Sequence, residues 1–202
     1  MLSKIISSVI AVTLISAAAL SHATPITNST GIAAPTLTIT FSEVALSPGN
    51  LITNQYAPFG ATFSPFAVFR PQDGFFASDY IGNFGATSGP TGIANPFTIA
   101  FGQVLSGAAF QLITNDGNTI FQALLGNTVV ESFSAATSTT AGTFYGFDNI
   151  AFDSIILSIP VNGALELDNL QIRTSAVPEP ASLALLGIGL AGLAAARRRK
   201  IA

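Results

Sequence analysis

The side chains available for chemistry in this chain are almost all carboxylates. Residues 24–176 contain no Cys, His or Lys, and the one His of the chain is His22. Such a segment cannot form a Ser-His-Asp triad, a cysteine nucleophile, a Schiff-base lysine or a zinc site of His and Cys ligands. Hydrolysis of a glycosidic bond needs only two acids, and Glu131 and Glu166 are the candidate pair. Nothing in the sequence brings these two residues together.

Aromatic and short polar side chains cluster in and next to an irregular stretch, residues 74–95. They are Phe75, Phe76, Tyr80, Asp73, Asp79 and Asn83. Aromatic faces combined with polar groups are what a glycan site needs, so the three aromatic residues predict a sugar-binding surface. The alternative is that these rings pack in the core, and the absence of Trp from the chain favours that alternative.

The two ends of the chain carry most of its cations, and the centre carries most of its carboxylates. Residues 24–176 carry two cations, Arg70 and Arg173, against nine carboxylates, so this segment has a net charge of −7. Nucleic acid is therefore excluded as an expected partner, because phosphate binding needs clustered cations. Anionic lipid and anionic polysaccharide should be repelled.

The elements that must position these residues are β-strands. Residues 36–41 alternate polar and apolar side chains, which is typical of a half-buried strand. Turn signals separate similar short segments, and this spacing predicts an all-β sandwich or jelly roll. Hairpins are predicted at 115–118 and at 126–127. The predicted strands are 36–41, 61–63, 66–69, 97–101, 108–113, 119–125, 129–133, 143–147, 155–159 and 165–172.

The last predicted strand contains a break in its alternation. Leu165 and Leu167 share one face, and Leu170 resumes the apolar pattern after an odd number of residues. This change of phase at Asp168 and Asn169 predicts a β-bulge, a feature that redirects side chains and is common beside functional sites.

The predicted body resembles the jelly-roll modules of carbohydrate-binding proteins. Those modules often hold a structural calcium ion between their first and last strands. The resemblance implies a calcium site here at Glu43, which follows the first clear strand, and Asp168, at the predicted bulge. Oxygen ligands suit calcium, although the sequence has no tight ligand spacing such as an EF-hand loop. The alternative is that both residues are ordinary solvated acids.

The N-terminus has the features of a secretory signal peptide, residues 1–23. Lys4 supplies the positive start and residues 5–20 the apolar stretch. Ser21 and Ala23 place small residues where signal peptidase requires them, so we expect cleavage before Thr24. A permanent N-terminal anchor is the alternative, and the small-residue site argues against it.

The C-terminus combines three elements in a fixed order. Pro178, Glu179 and Pro180 precede an apolar run at 181–196, which is followed directly by four cations, Arg197, Arg198, Arg199 and Lys200. The run is near the lower limit of about 17 residues for a membrane-spanning helix. The cations should remain cytoplasmic, which places the body on the other side of the membrane.

This order of elements in residues 177–200 resembles the PEP-CTERM sorting signal of Gram-negative bacteria. The resemblance implies export, recognition through the Pro-Glu-Pro motif, and removal of the tail by the membrane enzyme exosortase in cells that make extracellular polysaccharide. Three domains are thus predicted: a signal peptide (1–23), a β-sandwich ectodomain (24–176) and a sorting tail (177–200) with one transmembrane helix (181–196).

Together these features predict a non-enzymatic binding or structural module associated with exopolysaccharide in the cell envelope or extracellular matrix. Its precursor would be anchored in the inner membrane until exosortase acts. The rival hypothesis is a polysaccharide-modifying hydrolase that uses carboxylates alone.

Overall fold

A computed structural model describes residues 23–85, 92–160 and 163–174. Within these residues the chain forms eleven β-strands and a single-turn 3-10 helix at Ala57–Phe59, so the body is all-β, as predicted. The strands are β1 (Thr24–Asn28), β2 (Leu37–Ile39), β3 (Leu51–Ile52), β4 (Ala61–Ser64), β5 (Ala67–Arg70), β6 (Tyr80–Gly82), β7 (Phe97–Thr114), β8 (Gly117–Leu125), β9 (Thr128–Thr137), β10 (Phe144–Ser158) and β11 (Leu165–Thr174).

Two long strands, β7 and β10, organise the fold. The first part of β7 pairs with β4 and with the end of β10, which also pairs with β8. The second part of β7 pairs with β11 and with the start of β10, which also pairs with β1. Side chains from both groups of strands, such as Ile99 and Leu167, belong to one buried apolar cluster. The arrangement is therefore consistent with a β-sandwich whose two layers share β7 and β10.

The length of β7 was not predicted. Segments 97–101 and 108–113 were predicted as separate strands, and they are the two ends of this one strand. Gly102, Gln103 and Val104 are exposed, which interrupts the alternation between them. In the same way, the predicted strands 143–147 and 155–159 fall in β10 except for residues 143 and 159, with register shifts between Asp148 and Ser154.

Of the two predicted hairpins, one is confirmed and one is wrong. β8 and β9 pair through a tight turn in which Gly126 has φ 60°, a conformation that favours glycine. The turn after Thr114 connects β7 to β8, but these strands are not neighbours because β10 lies between them. This turn therefore carries the chain from one group of strands to the other.

The predicted bulge in β11 is confirmed. Pairing with β7 shifts in register between Asp168 and Gln171, and Asn169 adopts φ 51°. As a consequence Leu167 and Asp168 are both buried although they are adjacent in the strand. The extra residue directs a carboxylate into the protein, where a regular strand would expose it.

Both targeting segments fall largely outside the described residues. The predicted signal peptide ends at Ala23, the first described residue, and the predicted helix at 181–196 follows the last one. Within the described ranges no helix has the length and apolar character needed to cross a membrane.

Candidate functional site

A small open cleft lies where the start of β11 meets the end of β7. Its volume is about 160 Å³. Leu165 and Glu166 of β11 form one side, and Ile113 and Thr114 of β7 form another. The remaining lining residues come from the adjoining loops: Phe75, Phe84, Asn115, Thr139 and Ala164.

The structure separates the three aromatic residues of the predicted sugar-binding surface. Phe75 is 55 % exposed and lines the cleft. Phe76 and Tyr80 are each 3 % exposed, and their ring centroids lie 5.2 Å apart in a small apolar cluster with Ile113. The faces of these two rings are therefore used in packing, which corrects the expectation that all three would stack on a ligand.

Asp73 holds Phe75 at the rim of the cleft. One of its carboxylate oxygens accepts hydrogen bonds from the backbone N–H groups of Phe75, at 2.7 Å, and Phe76, at 3.4 Å. The other accepts a hydrogen bond from the Tyr80 hydroxyl at 2.5 Å. Although burial opposes ionisation, these hydrogen bonds and the charge of Arg70 keep the pKa of Asp73 below its usual value. Asp73 is thus a positioning group for this turn.

Glu166 is the carboxylate that lines the cleft. Burial, and then the negative charge of Asp73, raise its pKa, while Arg70 and Tyr80 act in the opposite direction. Arg70 is held under the Phe84 ring, 4.7 Å from the ring centroid, and donates a hydrogen bond to the Phe84 carbonyl at 3.1 Å. The nearest cation is therefore engaged with the wall of the cleft.

Asn83 has a structural role, although its sequence position placed it among the polar groups of a sugar site. The residue is fully buried. Its amide nitrogen donates to the carbonyls of Ala94 and Gly163, both at 2.7 Å, and its amide oxygen accepts from Leu165 N–H at 2.9 Å. Asn83 therefore joins two loops to the start of β11 and leaves no amide group free for a ligand.

The residues predicted as calcium ligands belong to a second cluster, around the bulge. Asp168 accepts hydrogen bonds from the Ser78 hydroxyl and from the Asn169 backbone N–H, both at 2.6 Å. Glu43 accepts hydrogen bonds from the backbone N–H and hydroxyl of Thr40, at 2.7 and 3.0 Å. Asp79, the third acid, accepts from the Ser42 hydroxyl at 3.2 Å.

The other two carboxylates act electrostatically on Asp168. Burial raises the pKa of Asp168 to about 6, the hydrogen bonds from Ser78 and Asn169 oppose this, and the charges of Glu43 and Asp79 add to it. Among the described residues, however, no group of three or more His, Cys, Asp or Glu side chains has an arrangement that could hold a metal ion. A calcium ion here would need backbone carbonyls and water for most of its ligands.

The acid pair of the hydrolase hypothesis lies in strands that do not pair with each other. Glu131 is in β9, which pairs with β8. Glu166 is in β11, which pairs with β2, β6 and β7. Among the described strands, no pairing brings the two carboxylates to one cleft.

Phe84 and Asn115 line the cleft but were not identified from the sequence. Phe84 lies in the irregular stretch at 74–95, and Asn115 lies in the predicted turn at 115–118. In the sequence, the one sign that these residues could line a site is position: Phe84 is near the aromatic residues, and Asn115 is in the turn after β7. The cleft forms because distant parts of the chain converge, and no local pattern reports this.

The comparisons with known proteins concern the C-terminal tail. No curated protein matches the chain significantly. Residues 176–200 match the family model of the PEP-CTERM protein-sorting motif. The match includes Pro178, Glu179 and Pro180 and the cations up to Lys200. The chain therefore carries a PEP-CTERM sorting motif, which is consistent with an exosortase substrate and implies an exported precursor that is anchored in the membrane before processing.

Proposed function

We propose that this exported protein is a non-catalytic module that binds an uncharged glycan of the cell envelope or extracellular matrix in the cleft beside Phe75. The observation that carries this proposal is the composition of the cleft. An exposed phenyl ring lies together with the amide of Asn115, the hydroxyl of Thr139 and the Glu166 carboxylate. Such a combination matches a sugar, because a sugar ring has apolar faces that pack on an aromatic ring and hydroxyl groups that form hydrogen bonds.

The size of the cleft favours contact with one or two sugar units of a longer glycan chain. Its volume of about 160 Å³ is below the roughly 300–1,000 Å³ of pockets that enclose drug-sized ligands. The cleft is also open to solvent along the Phe75 rim, so a polymer could enter laterally. Association with a polysaccharide would then depend on many weak contacts along the matrix.

The charge around the cleft favours an uncharged ligand. Glu166 lies in its wall, Asp73 is close enough to raise the Glu166 pKa, and Arg70 is engaged with Phe84. An anionic sugar would therefore meet the negative charge of Glu166 and Asp73, while Arg70 is held against the Phe84 ring.

Binding is favoured over hydrolysis because Glu166 is the one carboxylate among the described residues that line the cleft. The usual glycosidase mechanisms need two carboxyl groups on either side of the scissile bond, about 5–9.5 Å apart. The hydrolase hypothesis makes a distinct prediction, namely that reducing ends appear when the protein is incubated with polysaccharide.

Affinity electrophoresis of the exported protein through gels containing dextran (neutral) or polygalacturonate (anionic) tests this proposal. Dextran should retard the protein, and Phe75→Ala should weaken binding about tenfold, since an aromatic contact is worth roughly 1–1.5 kcal/mol. Val130→Ala, which shortens another exposed apolar side chain on β9, is the matched control and should bind normally. Equal retardation of all three proteins would place binding outside the cleft, and release of reducing ends would favour the hydrolase.

We also propose that Glu43 and Asp168 contribute to a structural calcium site. The support is electrostatic, because burial at the bulge raises the cost of ionising Asp168, and the charges of Glu43 and Asp79 add to that cost. A bound cation would offset that cost.

A further inference from the structure

β11 connects the cleft to the sorting tail. Leu165 and Glu166, at its start, line the cleft, and Thr174 is its last residue. A strand of 10 residues extends about 30 Å at roughly 3.3 Å per residue. The cleft and the start of the tail therefore lie at opposite ends of one strand.

The N-terminal end of the body lies beside the same end of β11 as the tail. Thr24, the first residue of β1, is paired with Asp148 of β10. Asp148 in turn accepts a hydrogen bond from Arg173, and Gly107 of β7 is the pairing partner of both Asp148 and Arg173. Both segments predicted to enter the membrane, the signal peptide and the tail, thus leave the body at one end.

The exit point of the tail is tied to the body by hydrogen bonds. The Ser106 hydroxyl donates to the Thr174 carbonyl at 3.1 Å, and Thr174 N–H donates to the Thr36 hydroxyl at 3.4 Å. Only residues 175–180 separate Thr174 from the apolar run at 181–196. Six residues span at most about 20 Å even when fully extended, so an anchored precursor must keep this end of the body close to the lipid headgroups.

The surface at this end carries exposed apolar side chains. Val104 is 42 % exposed and Leu37 is 37 % exposed. Leu37 also borders a shallow groove of about 530 Å³, lined otherwise by Ala57, Pro58, Phe59, Gly60, Gly102 and Gln103. The groove adjoins the tail exit, since Leu37 pairs with Ile172 and Leu105, next to Val104, pairs with Thr174. We call Leu37, Pro58, Phe59, Gln103 and Val104 the tail-end surface.

The electrostatics of the tail-end surface are compatible with a lipid surface. The body as a whole carries a net charge of −7, which anionic lipid would repel. At the tail exit, however, Asp148 is neutralised by Arg173. The acids of the cleft and bulge, Asp73, Glu166 and Asp168, lie towards the other end of β11 or in its middle.

We propose that the tail-end surface contacts the lipid headgroup region while the precursor is anchored, and that the cleft then faces away from the membrane. The exposed apolar side chains lie close to the membrane anchor because the connecting segment is short. They are stabilised when they enter the boundary between lipid headgroups and acyl chains, where interfacial helices also bury their apolar faces. Pointing the cleft outwards makes it accessible to matrix glycans before the tail is removed. The contact needs no conformational change, because β11 already places the cleft and the tail exit at its opposite ends.

Fluorescence quenching in vesicles tests this orientation. The chain has no cysteine, so a single Cys can be labelled specifically with an environment-sensitive fluorophore. Full-length Val104→Cys would be inserted through its own tail into vesicles of phosphatidylethanolamine and phosphatidylglycerol that contain nitroxide-labelled lipid. Ile120→Cys is the matched control, because Ile120 is similarly exposed, at 45 %, but lies opposite Ser158 at the far end of β10.

Lipid nitroxide should quench the label at position 104 at least twofold more strongly than the label at position 120. Equal quenching at both positions, or stronger quenching at position 120, would overturn the proposed orientation. Thermal melts of the two labelled proteins, compared with the unlabelled chain, would show that both retain the fold. The result is independent of glycan binding, since neither label lies in the cleft.

Discussion

Arg173 and Asp148 form an ion pair that joins the end of β11 to the first half of β10. Both side chains are largely buried, at 24 % and 12 % exposure. Arg173 also donates hydrogen bonds to the Ser106 hydroxyl and to the Ala33 carbonyl, at 3.3 and 3.2 Å. One side chain therefore links three segments of the body at the point from which the sorting tail leaves.

Replacing Arg173 should destabilise the fold substantially. Arg173→Met keeps much of the side-chain volume but leaves the Asp148 carboxylate without its ionic partner, so we expect a loss of about 2 kcal/mol in the free energy of unfolding. Urea denaturation measures this value. The control is Glu131→Gln, which removes a charge that forms no ion pair with any described residue and should change stability by less than about 0.5 kcal/mol. A similar small change for Arg173→Met would show that the pair contributes little.

Asp168 should make the stability of the body depend on pH. Its folded pKa of about 6 exceeds the unfolded value of 3.8, so the folded state retains a proton that the unfolded state has lost. Stability should then fall as the pH rises from about 4 to about 6 and level off above, by up to about 3 kcal/mol at 1.36 kcal/mol per pKa unit. Urea denaturation between pH 4 and 8, in the presence of chelator, measures this dependence.

The variant Asp168→Asn separates Asp168 from the other carboxylates. Its side chain cannot ionise, so the decrease in stability between pH 4 and 6 should largely disappear. Glu131→Gln serves again as the control and should retain the wild-type dependence. An unchanged profile in Asp168→Asn would mean that other groups cause the pH effect.

Calcium should raise the thermal midpoint if Glu43 and Asp168 are ligands. A ligand present at 100 times its Kd stabilises the folded state by about 2.7 kcal/mol. Melts in excess calcium and in excess chelator would differ for the native chain, and both Glu43→Gln and Asp168→Asn would abolish the difference. An identical midpoint under the two conditions would remove both residues as ligands. Magnesium is a useful comparison, since its stricter geometry should give a smaller shift.

Mass spectrometry of the exported protein checks both predicted processing sites. The mature form should begin at Thr24, where β1 also begins, and should end near Pro178, beyond the end of β11. Removing the tail this close to Thr174 should leave the body intact, because its last strand is complete. Recovery of a form that retains Arg197–Arg199 outside the membrane fraction would contradict sorting by removal of the tail.

The sequence by itself determined the strand content, the bulge and the C-terminal sorting motif. Alternation of polar and apolar residues is a local property, so it identified most strands and the change of phase at Asp168. The order of Pro178, Glu179, Pro180, an apolar run and four cations is likewise contained in one short segment, and the family comparison agrees with it. Local patterns of this kind can be recognised without knowing which strands become neighbours in the fold.

The tertiary structure alone decided which aromatic rings reach solvent and where the cleft lies. Phe75, Phe76 and Tyr80 are equivalent in the sequence, but pairing of β6 with β5 and β11 buries Tyr80 beside Phe76 and leaves Phe75 at the surface. The cleft combines Phe84, Asn115 and Glu166, which are far apart in the chain. The physical reason is that the whole apolar core must be buried at once, and segments distant in the chain contribute to it together. This requirement decides which strands pair and where a strand passes from one layer to the other.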